Sequence, residues 1–126
     1  MGCEVPDALH YLETHEWTDI DDGVATIGIT EFAQDELGDV VYVERPSVGD
    51  ELEAGEQFGS IGSLKAVSDL YTAAGGEVVA VNEALHDAPE LVNEDPYGDG
   101  WMIKIERSDA ELAETLSAEE YREQTI

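Results

Sequence analysis

A short internal repeat limits what this chain can fold into more than any other feature. Residues 38–44 read GDVVYVE and residues 76–82 read GEVVAVN. Gly38 corresponds to Gly76, the acids Asp39 and Glu77 correspond, and valines recur at 40/78, 41/79 and 43/81. Each copy leads into a turn and an acidic segment with scattered apolar residues. These segments are RPSVGDELEAGEQFGSI after the first copy and EALHDAPELVNEDPYGDGWMIKI after the second. A β unit of this size cannot bury a face alone, so the two units are expected to pack on each other. The expected product is a mainly β fold, a small flattened barrel or sandwich with pseudo-twofold symmetry.

The flanks read as additions to that body. HEWTDI and VATIGI, separated by Asp22-Gly23, predict a hairpin over residues 15–29. Thr30 is placed to cap a short helix near 30–37, with Phe32, Ala33 and Leu37 as its buried stripe and Gly38 as its stop. Trp17 is expected in the core. Towards the end, Ser108 with Glu111 and Ser117 with Glu120 each form a capping-box pattern. Leu112 and Leu116 share one face, so C-terminal helices are expected to pack on the β body.

Charge excludes several partners. Thirty-one Asp and Glu against five Lys and Arg give a formal net charge of −26 on 126 residues. A nucleic-acid backbone or an anionic membrane surface would be repelled. The acids are spread along the whole chain, as on a solvated folded surface. Self-repulsion destabilises such a compact state, and concentrated salt screens it, so a high-salt (halophilic) cytoplasm is the expected setting. There is one cysteine, Cys3, so no internal disulfide is expected, and no apolar run is long enough to span a bilayer.

Little catalytic chemistry is visible. His10, His15 and His86 form no metal-ligand spacing, and no phosphate-binding glycine motif or nucleophile elbow is present. No metal and no catalytic residues are expected. What stands out is Lys65, within SIGSLKAVSDLY at residues 60–71, between the half-repeats and flanked by small or apolar residues. A tight turn projecting from the end of the β body is the expected place for it. A Schiff-base role needs a desolvated pocket, which a hairpin tip does not offer. Binding an acidic partner and acylation by a cofactor both remain. Acylation suits the geometry, because a stiff turn presents the amine and the attached arm can reach other enzymes.

These segments resemble the H protein family of the glycine cleavage system. The resemblance runs from about residue 11 to residue 124 through HEW at 15–17, ATIGITEFAQDELGDVVYVERPSVGD at 25–50 and SLKAVSDLY at 63–71. It continues through GEVVAVNEAL at 76–85 and PELVNEDPYGDGWMIKI at 89–105. It implies a single lipoyl-carrier domain over residues 1–126, a lipoyl-type barrel-sandwich hybrid with extra N-terminal strands and C-terminal helices. It implies lipoate joined as an amide to Lys65, and a carrier rather than an enzyme. Its partners would be glycine decarboxylase, aminomethyltransferase, dihydrolipoamide dehydrogenase and a lipoylating enzyme. A cytoplasmic monomer is expected. The cleft against which the arm can fold back would include Thr14, Glu16, Ile29 and Asp69.

The chain also departs from the family pattern. Gly62 stands where a glutamate is usual, Leu64 replaces valine, and YTAAGG at 71–76 lacks the usual proline. Glu36 occupies a position where some members carry histidine. Two alternatives to glycine cleavage therefore stand: a partner-binding module that needs no lipoate, and a divergent lipoyl-relay paralogue serving other enzymes.

Overall fold

Glu16–Asp21 and Val24–Ile29 form the expected hairpin, with Glu16 paired to Ile29 and Asp21 to Val24. The computed structural model describes residues 9–21, 23–106 and 115–125. In chain order the elements are β1 (His10–Tyr11), β2 (Glu16–Asp21), β3 (Val24–Ile29), α1 (Glu31–Leu37), β4 (Val40–Glu44), β5 (Glu51–Leu52) and β6 (Gln57–Ser63). There follow β7 (Val67–Tyr71), β8 (Gly76–Val81), α2 (Ala84–Asp87), α3 (Leu91–Glu94), β9 (Ile103–Glu106) and α4 (Ala118–Thr125). They make a six-stranded sheet in the order β1-β2-β3-β9-β8-β5 and a three-stranded sheet in the order β4-β6-β7.

Both sheets end in edge strands, so neither closes on itself. The architecture is two open sheets with short helices, a sandwich-like arrangement and not the closed barrel that was one expectation. The reason lies in the partition of the repeat. Copy one supplies β4 to the small sheet, and copy two supplies β8 to the large one. Each strand then pairs antiparallel within its own sheet, β4 with β6 and β8 with β9.

The repeated residues nonetheless behave alike. Val40 and Val78 are buried, Val41 and Val79 are exposed, and Val43 and Val81 are half-buried. The ladder slips at the same repeat position in both copies, between Val40 and Tyr42 and between Val78 and Ala80. Gly38 lies two residues before β4 and Gly76 opens β8, with φ of 82° and 151°, backbone angles that an L side chain would strain. The segments after the strands differ. The second copy continues into α2 and α3, whereas the sequence reads there only as a turn and an acidic segment with scattered apolar residues.

α1 begins as expected: Thr30 Oγ1 accepts from the Ala33 N–H at 3.2 Å, and the Gly38 N–H donates to Gln34 O at 3.0 Å to close the helix. Its predicted stripe needs correcting. Leu37 is buried, but Phe32 and Ala33 are only half-buried: both line a hollow, and of the two Ala33 also packs against the main core. The capping box of α4 is formed in both directions, with Ser117 N–H donating to Glu120 Oε1 at 2.9 Å and Glu120 N–H to Ser117 Oγ at 3.2 Å. The Ser108–Glu111 pattern, Leu112 and Asp22 lie outside the described residues.

The main core fills the space between the sheets with Ile27, Ile61, Leu70, Val78, Ile103 and Ile105. A second cluster joins Tyr11 and Trp17 to Ala118 and Tyr121. Trp17 is core, as expected, and its indole N–H donates to Pro96 O at 2.9 Å. Tyr11 and Tyr121 stack with ring centroids 4.7 Å apart. A Tyr11–Leu116 bridge ties β1 to the chain just before α4. Among the described residues, no helix is long and apolar enough to cross a membrane.

Candidate functional site

Lys65 sits in the three-residue turn between β6 and β7 and is exposed. The turn is braced internally. Ser63 N–H donates to Ala66 O at 2.8 Å, and Ser63 Oγ accepts from the N–H groups of Ala66 at 3.1 Å and Lys65 at 3.3 Å. This serine therefore acts as the turn's brace, a role that short hydroxyl side chains fill well. Beside the lysine, Leu64 is 78% exposed and Val67 65% exposed, unusual for large apolar groups. Tyr42 covers Gly62: a Cβ added there would lie 2.1 Å from a Tyr42 ring carbon.

Next to this turn lies a hollow of about 300 Å³. Thr14, Glu16, Ile29 and Asp69 all line it, so the four cleft residues expected from sequence are brought together. Ala66 also lines it, which puts the mouth beside the lysine turn. Apolar walls come from Leu37, Ile61 and Leu70. Glu36 lines the same hollow. A second hollow of about 410 Å³, between Leu12, Gly55, Tyr71 and Leu116, touches the first set of residues only at Thr14.

Glu16 is the chemically unusual residue. It is 1% exposed, yet it carries a carboxyl group. Thr14 Oγ1 donates to its Oε1, and the Tyr71 N–H donates to its Oε2 at 2.9 Å. Burial pushes its pKa up from 4.5 to about 7, and the hydrogen bonds from Thr14 and Tyr71 offset only part of that. Asp69 is exposed at the rim and accepts from Gln57 Nε2 at 3.0 Å.

His15 also lines the hollow, a role that sequence reasoning missed after testing it only as a metal ligand. Its φ of 78° is the one positive value at a non-glycine among the described residues. Its ring tilts against Phe32 with centroids 4.9 Å apart, and Nδ1 lies 2.7 Å from the Tyr121 hydroxyl. That hydroxyl is also 2.6 Å from Thr30 Oγ1, so α4, the cleft and the cap of α1 share one network. Burial lowers the His15 pKa, partly opposed by Glu36. The HEW motif signalled His15, whereas nothing in the sequence pointed to Tyr121. Among the described residues, no group of three or more His, Cys, Asp or Glu is arranged to hold a metal ion.

Comparison with known proteins gives the family and the fold. Residues 9–126 match the family model for the glycine cleavage H-protein. A probable glycine cleavage system H protein of Natronomonas pharaonis is 56% identical over 124 residues, covering 98% of each chain. One of Halobacterium salinarum is likewise 56% identical over 124 residues, again with 98% of each chain covered. The crystal structure of a glycine cleavage system H protein from Mycobacterium marinum superposes with a TM-score of 0.90 at 40% identity, covering 95% of this chain and 98% of that one. The chain belongs to the glycine cleavage H-protein family.

Proposed function

We propose that Lys65 carries lipoate as an amide on Nζ, and that the chain is the lipoyl carrier between the enzymes of glycine cleavage. The observation that carries this reading is the braced, exposed turn that holds Lys65 beside a hollow with both apolar and acidic walls. When attached, lipoate would supply a disulfide able to accept an aminomethyl group at glycine decarboxylase and, once aminomethyltransferase had removed that group, a dithiol for dihydrolipoamide dehydrogenase to oxidise back to the disulfide.

The residues present fit such a group. Ile29, Leu37, Ile61 and Leu70 offer a carbon chain an apolar bed. Thr14, Glu16 and Asp69 offer oxygen atoms to a cationic amine at its end. An amine bound near Glu16 favours its ionised form, so the buried carboxyl would shed its proton as the loaded arm docks. The chain's own contribution is to bind, orient and shield, which is the work of a carrier and not of a catalyst.

We read the two sheets, with their matched half-repeats, as a pseudo-twofold barrel-sandwich hybrid of lipoyl type forming a single carrier domain. A cytoplasmic monomer at high salt suits the net charge of −26. Intact mass and peptide mapping of protein from its native host test the central assignment. Lipoate is expected on Lys65, and Lys65→Arg is expected to lose it along with glycine decarboxylase exchange. An unmodified Lys65 from lipoate-replete cells would overturn the assignment. Partner binding that survives Lys65→Arg with full exchange activity would favour a lipoate-independent module.

A further inference from the structure

Asn93, on the four-residue helix α3, spends its side chain on one short stretch of chain. Its Oδ1 accepts from the Val40 N–H at 2.9 Å. Its Nδ2 donates to Gly38 O at 2.8 Å and to Gln34 Oε1 at 3.0 Å. The side-chain amide thus binds a carbonyl and the N–H two residues later, much as a peptide unit of a neighbouring strand would. It pins residues 38–40 at the point where α1 gives way to β4.

Those three residues meet the lysine turn one for one. Val40 pairs with Ser63 across the β4–β6 ladder. Asp39 O accepts from the Leu64 N–H at 3.2 Å. Gly38 lies under Lys65: a Cβ built on it would sit 3.5 Å from the Lys65 Cε. The Ser63 brace sets the shape of the turn, and the contacts with residues 38–40 seat its tip on the body, beyond the point where the β4–β6 ladder ends.

We propose that Asn93 is the positioning residue for Lys65, holding the platform that aims the lysine at the enzyme that acylates it. This rests on the reading that Lys65 is the acylated residue. Removing the amide leaves the turn's internal bonds intact and loosens its seat. The amine then samples directions that do not reach the acyl donor, and misplacement of a reacting group by about 1 Å is enough to cost rate.

The test uses the full-length unmodified chain with a purified lipoate–protein ligase, lipoate and ATP, together with amide hydrogen exchange. Asn82 supplies the structural control. Its side chain donates to Asp99 O at 2.7 Å and to Trp101 O at 2.8 Å and accepts from the Ala84 N–H at 3.2 Å, and none of these hydrogen bonds goes to residues 38–40 or the turn. Asn93→Ala is expected to lower kcat/KM for acylation about tenfold, the effect of one or two lost hydrogen bonds. It is also expected to speed exchange of the Leu64 amide by a similar factor. Asn82→Ala is expected to leave both at wild-type values at a temperature where both variants are folded. Should Asn93→Ala not fold, Asn93→Asp keeps an oxygen for the Val40 N–H, loses the donor to Gly38, and is expected to show the same pattern. Wild-type exchange at Leu64 in a folded Asn93 variant, or equal losses in the Asn82 control, would overturn the proposal. Failure of the wild-type chain to be acylated would instead strike the lipoyl assignment, and Leu64 exchange would still decide the role of Asn93.

Discussion

Replacing Glu16 by glutamine tests whether the cleft really holds a carboxyl group that resists ionisation. In the unfolded chain this group titrates near its ordinary value of 4.5, whereas burial raises it to about 7 in the folded protein. Between those values the folded state keeps a proton that the unfolded state has lost. Stability therefore falls as pH rises through this window, and the penalty is complete above it. At about 1.4 kcal/mol per pH unit the loss integrates to roughly 3 kcal/mol, an upper figure because buried sites relax on ionisation. Glutamine is neutral throughout and suits the site. Its amide oxygen can accept from the Tyr71 N–H, and the Thr14 hydroxyl can turn to accept from its NH₂ group. Glu16→Gln is thus expected to match wild type near pH 4.5 and to be about 2–3 kcal/mol more stable at pH 8. The assay is urea unfolding from pH 4.5 to 8 in molar potassium chloride, which screens the many surface carboxylates. Their contributions are common to both proteins and cancel in the difference. Parallel stability curves would refute the reasoning, as would a carboxyl-carbon NMR titration of Glu16 centred near 4.5.

Other perturbations reach other parts of the structure. Gly28→Ala would bring a Cβ within 2.8 Å of the Trp17 ring, and the overpacking is expected to cost about 1–3 kcal/mol with a change in tryptophan fluorescence. Tyr121→Phe removes the hydroxyl between His15 and Thr30, so a loss of about 1–3 kcal/mol is expected in denaturant unfolding. Because His15 is held below its ordinary pKa, NMR titration should find its ring neutral until the pH falls below 6.5, and stability should drop as acid forces the charge in. With a net charge of −26, the unfolding midpoint should rise from low salt to molar potassium chloride; a flat or falling midpoint by circular dichroism would refute the high-salt reading.

Local signals were readable in the sequence because their physics is local. Thr30 and Gly38 bound α1, Ser117 and Glu120 cap α4, and the two valine runs form strands of matching burial. The exposed turn at Lys65 was legible because a cation among small residues between two strand-like runs suits a projecting turn. Pairing partners were not legible. Nothing in the valine pattern says that β4 and β8 go to different sheets, so a closed barrel and two open sheets looked equivalent. α2 and α3 escaped because each is only four residues long, too short for scattered apolar residues in an acidic segment to show a helical period. The cleft residues came from family resemblance, and the His15–Tyr121 contact joins residues 106 apart, beyond any periodicity.

That separation also sets an order of events during synthesis. The β6–β7 turn joins residues a few positions apart, so it can close as soon as both strands are available. The Tyr11–Leu116 bridge and the stacking of Tyr11 on Tyr121 must wait until almost the whole chain has left the ribosome. The part that displays the lysine is thus available early, and the wall of the cleft that depends on α4 is completed last. A nascent chain halted before residue 116 would show a modifying enzyme its lysine while lacking the tyrosine that steadies His15. On the proposed acylation of Lys65, modification would therefore not attest that the cleft is complete, and only the finished chain would shelter the attached group.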